Sequence, residues 1–144
     1  MRTFTLEEAQ TLVPVLEALL VRAMQAREAS ETAESALQEW GQRIFINGGM
    51  LVPVVQLARQ RGERDAAVQQ VKDTLTELEA IGVQVKDIET GLLDFPCRLG
   101  EETVLLCWKM GEKEITHWHT VDAGFRGRQP IDERFRRAQK QKPN

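Results

Sequence analysis

The hydrophobic period of this chain changes once, and that single change constrains the fold more than any motif does. From Thr5 to about Ile81 apolar and small residues recur at three- and four-residue steps, as on one face of a helix; from Gly82 to about Ile131 short alternating runs are broken by Gly-led turns, as in strands. Helices gathered first and strands afterwards predict an α+β fold rather than alternating βαβ units. With 144 residues the chain has one domain's worth of polypeptide, so the expectation is a single domain over residues 1–131, helical over 5–81 and β over 82–131.

The helical half begins with a capping box. Thr5 is followed three residues later by Glu8, so each side chain can satisfy the other's backbone amide. Pro14 lacks the amide hydrogen a helix interior uses, which predicts a short first helix and a restart near Pro14. Beyond it Leu16, Leu19, Leu20, Ala23, Ala26, Ala29, Ala33, Ala36, Leu37 and Trp40 form one stripe whose middle is alanine. Asn47-Gly48-Gly49 is the strongest breaker, and the pattern resumes through Val68, Val71, Leu75, Leu78 and Ile81. The expectation is a coiled-coil-like antiparallel helical hairpin turning at Gly48, with Leu16 near Leu78 and Ala29 near Val68. Such a hairpin leaves an apolar flank for a second copy, which predicts a homo-oligomer.

The β half is expected to be a small antiparallel meander with two-residue turns at Gly100-Glu101 and Gly111-Glu112, Gly standing first as a type II′ turn prefers. In that register Cys97 faces Val104 and Phe95 faces Leu106. Across the second turn Lys109 faces Glu114, Trp108 faces Ile115, Leu106 faces His117 and Val104 faces His119. One face then holds Trp108, His117 and His119, and the other holds Cys107 and Trp118.

Two cysteines on opposite faces cannot be bridged, and they read as buried thiols. His117 and His119 project to one face, as paired metal ligands on a strand do, but no third donor stands at a ligand spacing, so no metal and no cofactor is expected. Arg126 and Arg128, flanked by Gly124 and Gly127, suit a carboxylate or phosphate. Together with Trp108, His119, Asp87 and Asp94 they form a candidate small-anion site; the competing reading has the arginines bridging to Asp87, Glu89 or Asp94. Phosphate-loop patterns do not occur.

Residues 126–144 carry seven basic side chains against Asp132 and Glu133, yet Phe125 and Phe135 are too sparse for base stacking, so nucleic acid is not an expected partner and residues 132–144 are expected to form a frayed basic tail. The longest apolar stretches fall far short of the ~20 residues a bilayer span needs, so no membrane is expected either. The N-terminus runs from Met1-Arg2-Thr3-Phe4 straight into Glu7 and Glu8, which predicts a cytoplasmic location.

The segments Thr5-Leu6-Glu7-Glu8-Ala9 through Pro14, Gly82-Val83-Gln84-Val85-Lys86-Asp87 and Gly91-Leu92-Leu93-Asp94-Phe95-Pro96 resemble the prokaryotic domain-of-unknown-function family 2203. So do Leu106-Cys107-Trp108, Trp118-His119, Gly124-Phe125, Gly127-Arg128 and Pro130-Ile131. The resemblance implies a small bacterial cytoplasmic protein of unestablished activity, with characteristic polar positions at Asp87, Asp94, Trp108, His119 and Arg128. The expected function is a non-enzymatic interaction or regulatory module; the alternative is a small-anion or metal-binding site, with or without catalysis, on the β part.

Overall fold

The computed structural model describes residues 2–46 and 53–140, and within them the helical hairpin and antiparallel sheet of an α+β fold are both present. Helix α1 spans Leu6–Ile46 and α2 spans Val54–Ile81; strands β1 (Gln84–Asp87), β2 (Leu92–Leu99), β3 (Glu102–Lys109), β4 (His117–Thr120) and β5 (Gln129–Pro130) follow, and α3 (Glu133–Lys140) comes last. The expected turn at Asn47-Gly48-Gly49 lies outside the described residues. No described helix is long and apolar enough to cross a membrane. Two compact units divide the chain, one of Met1–Leu20 with Thr76–Asn144 and one of Val21–Leu75.

In the first unit the capping box forms as the sequence suggests. The Glu8 amide donates to Thr5 Oγ1 at 3.1 Å and the Thr5 amide to Glu8 Oε1 at 3.3 Å. The restart expected at Pro14 does not occur: α1 runs through it. Pro14 is exposed, so the Gln10 carbonyl it leaves without an amide can be hydrated, and the cost stays below that of a buried proline. Inward from this face Ala9, Val13, Leu16 and Leu20 are buried, as are Leu78 near the end of α2 and Val83 just beyond it.

The strands form one antiparallel sheet in the order β1-β2-β3-β4-β5, a five-stranded extension of the expected meander. The β2–β3 register matches the expectation, with Cys97 opposite Val104 and Phe95 opposite Leu106. Leu99 pairs with Glu102 across a two-residue loop in which Gly100 alone has positive φ, 67°, as the II′ class requires. At the other end Gly91 is required by space, because a Cβ there would stand 2.6 Å from that of Met110. Phe4 joins this ladder to the helix: its amide donates to the Pro96 carbonyl at 2.7 Å, and its ring meets Phe95 edge-on at 5.7 Å.

The β3–β4 connection departs from the expected hairpin. Gly111-Glu112 is not a two-residue turn; residues 110–116 form a longer loop, and β4 pairs one position further on, with Leu105 opposite His119, Leu106 opposite Trp118 and Cys107 opposite His117. Because side chains alternate, this step of one moves every β4 residue to the other face. Glu114 therefore sits in the loop, off the ladder that would have set it against Lys109. The cause is local and long-range together. Glu112 folds back, its amide donating to the Lys109 carbonyl at 3.0 Å and its Oε1 accepting the Lys109 amide at 2.7 Å. Gln10 of α1 then holds the far end, accepting from the Ile115 amide at 2.8 Å and donating to the Lys113 carbonyl at 3.3 Å.

The charge-rich C-terminal segment is also more ordered than its composition suggests. Residues Glu133–Lys140 form α3, capped where Asp132 Oδ1 accepts the Phe135 amide at 3.0 Å. Phe135 is buried and lies 5.4 Å from the Trp118 ring.

The second unit contains residues 21–46 of α1 and 54–75 of α2. Its inward positions are Ala23, Ala26, Ala67 and Thr74, and further along the seam turns polar: Arg64 Nη1 pairs with Glu34 Oε2 at 3.0 Å. Ala29 and Val68, expected to meet in the seam, are both exposed. The stripe is only partly the seam: Ala23 and Ala26 are buried, Ala29 is exposed, and Ala33 and Ala36 are half-buried alongside Arg27, Ser30 and Glu34.

Phe135→Ala should destabilise the protein by about 3 kcal/mol or more, as for a buried aromatic in a filled site. Urea unfolding followed by circular dichroism measures this; a change below about 0.5 kcal/mol would return the segment to a frayed tail.

Candidate functional site

Residues 93–97 of β2 and 104–108 of β3 are all buried, so both faces of this strand pair are covered. One face carries Leu93, Phe95, Cys97, Val104, Leu106 and Trp108. The other carries Asp94, Pro96, Leu105 and Cys107, and the observed β4 register adds His119 to it. Trp108 and His119, expected to share a face, are on opposite ones. Asp94 and His119 are brought together, and Cys107, which sequence reasoning set aside, joins them.

Asp94 is opposite Cys107 on the ladder, and His119 reaches them from the neighbouring strand. Asp94 is 1 % exposed and His119 2 %. His119 Nδ1 lies 2.8 Å from the Thr120 carbonyl, which can only accept, so Nδ1 carries a hydrogen. That leaves Nε2, 3.1 Å from Asp94 Oδ2, to share one proton with the carboxyl group. Burial pushes the Asp94 carboxyl above its ordinary value, against the opposing influence of His119 and, more weakly, Lys86.

Asp94 Oδ1 is buried without a hydrogen-bond partner, a deficit that costs about 1–3 kcal/mol in a folded protein. The Cys107 thiol is the nearby group that can turn towards it, and one donor atom from each of Asp94, Cys107 and His119 lies within 4.8 Å of the other two. Burial pushes the Cys107 thiol up to about 11, with the Asp94 charge adding to the effect. Cys97, on the other face, is also raised to about 11, by burial first and Glu8 second. Neither is held as a thiolate, so neither is prepared as a nucleophile.

The other candidate residues form a second constellation. Arg128 Nη2 is 2.9 Å from His117 Nδ1 and 3.4 Å from Glu112 Oε2, and its guanidinium lies 4.8 Å from the Phe125 ring centre. Thr116 Oγ1 also stands 2.8 Å from His117 Nδ1. Trp108 donates its indole N–H to the Glu112 carbonyl at 3.0 Å. Arg128 is therefore held by Glu112 and His117 rather than by the Asp87 or Asp94 partners expected from sequence; it makes no hydrogen bond to His119, but its charge reaches Cys107 and opposes the rise in that thiol's pKa. Arg126 is exposed. Asp87 holds the β1–β2 turn, accepting from the Glu89 amide at 2.9 Å and the Thr90 hydroxyl at 3.0 Å.

A helical hairpin joined in sequence to a five-stranded antiparallel sheet, with a buried Asp-His-Cys cluster on one sheet face, defines the class of this protein. The chain belongs to DUF2203, a family described as uncharacterized conserved protein, whose model matches residues 2–131. Neither the curated proteins nor the solved structures contain a match to it.

Because Asp94 has a higher pKa folded than unfolded, its contribution to stability is complete below about pH 4 and is lost as pH rises through the folded value. Asp94→Asn, which cannot ionise, should therefore gain on the wild type as pH is raised, in thermal melts run with a chelator present. A melting-temperature gap that does not change with pH would contradict the raised pKa. The buried, protonated thiols should also react with Ellman's reagent at pH 8 only after unfolding, and reductant should leave the melting temperature unchanged.

Proposed function

We propose that this protein is a non-enzymatic interaction module that associates with a second copy of itself through its helical hairpin. The observation that carries this reading is the position of the alanine row. Ala29, Ala33 and Ala36 line an open groove of the second unit, with Thr32, Gln60 and Glu63 also lining it. Side chains this small let another helix backbone approach closely. The same unit exposes Val54 and Val55, at 70 % and 77 %, and carries Glu28 and Glu63 at the groove with exposed Arg59 and Arg61 on α2. Both charge signs on one hairpin suit a self-complementary, two-fold contact.

Sedimentation equilibrium is the test. The wild type is expected to be a dimer or larger at micromolar concentration, and Ala29→Glu, at an exposed position, is expected to shift it to monomer while leaving its helical circular dichroism intact. A wild type that remains monomeric at high micromolar concentration would overturn the proposal.

A further inference from the structure

We propose that Asp94, Cys107 and His119 are a binding site for one divalent transition-metal ion of the borderline-soft kind, with zinc as its type. Three donor chemistries that together select such an ion, a carboxylate oxygen, a thiol sulfur and an imidazole nitrogen, lie within 4.8 Å of one another on one sheet face. Ligand atoms about 2.0–2.3 Å from a tetrahedral metal stand roughly 3.3–3.8 Å apart, so donors already within 4.8 Å need to draw together by only about 1 Å to hold a single ion.

Two observations go beyond proximity. Asp94 Oδ1 is a buried carboxylate oxygen with no hydrogen-bond partner, beside the Oδ2 that His119 engages. His119 is also oriented as metal-bound imidazoles usually are. Its Nδ1 hydrogen is committed to the Thr120 carbonyl, which fixes the ring and leaves Nε2 for the ion.

Charge supplies the reason a buried site can hold such an ion. Binding displaces two protons, one shared by Asp94 and His119 and one from the Cys107 thiol. The carboxylate and thiolate left behind carry two negative charges, and a divalent cation beside a neutral imidazole balances them. The metal complex is neutral, so it escapes the penalty that isolated ionised groups meet at this depth. A thiolate among the three ligands disfavours magnesium and calcium, which take oxygen donors. The protein supplies three ligands, and water completes a four-coordinate ion.

The test uses the full chain, stripped with a chelator and then freed of it. Calorimetric titration with zinc chloride is expected to give one ion per chain with micromolar or tighter affinity, and equimolar zinc should raise the melting temperature where magnesium does not. Cobalt(II) chloride is the optical probe. It should give the intense visible bands of a four-coordinate ion and a near-ultraviolet thiolate-to-metal band. Cys107→Ala should abolish the thiolate band, whereas Cys97→Ala, on the other face, should keep it; His119→Gln should weaken zinc binding at least tenfold. Absence of one-to-one binding by the wild type overturns the proposal without depending on any variant's folding. A cobalt complex without the thiolate band, or a band that survives Cys107→Ala, does so as well.

Discussion

The pairing of β2 with β3 is the constraint on which the first unit depends, because both faces of that ladder are withdrawn from water. On a sheet with one wet face a polar side chain can always be turned to solvent. Here it cannot: Asp94 must find its partner inside, and His119 is that partner. The pair consequently fixes more than its own geometry. A slip of β4 by one residue would carry His119 to the Phe95 face and leave a buried carboxyl group without its partner. The Asp94–His119 contact is therefore compatible with the observed β4 register and with no register one residue away.

How much of this was legible depended on distance along the chain. The Thr5–Glu8 capping box and the Gly100-Glu101 turn are local, and both formed as read. The β3–β4 connection was misread because Gly111-Glu112 has the composition of a tight turn, while what decides it is Gln10 stitching the loop from more than a hundred residues away. That one-step error placed the histidines with Trp108 and kept Cys107 out of the candidate site. The sequence marks both Asp94 and His119 as candidate residues, but only the observed β4 register puts them on one face. In the C-terminal segment the charge run obscured a local signal, Asp132 three residues before Phe135, which is a helix cap with its first buried residue.

The second unit shows a related limit. A row of alanines looks like a seam because small residues permit close packing, yet only Ala23 and Ala26 are fully buried, and beyond them half-buried alanines share the inner side of the helix with polar Ser30 and Glu34. The Glu34–Arg64 pair is still reached by solvent, which screens its attraction. It gives this part of the hairpin alignment more than strength, and apolar area is left on the outside.

Pro130 has a consequence for how the molecule meets its neighbours. Directly after β5 the Ile131 amide donates inward to the Thr116 carbonyl at 2.8 Å, so by alternation the Pro130 nitrogen faces outward, where an edge strand would offer an amide and proline has none. At the opposite margin, β1 is interrupted between Val85 and Asp87, with charged Lys86 at the irregularity. Both borders of the sheet thus refuse a further strand. The sheet is protected from open-ended, fibre-forming growth, and an encounter between two of these molecules has to be decided by side chains.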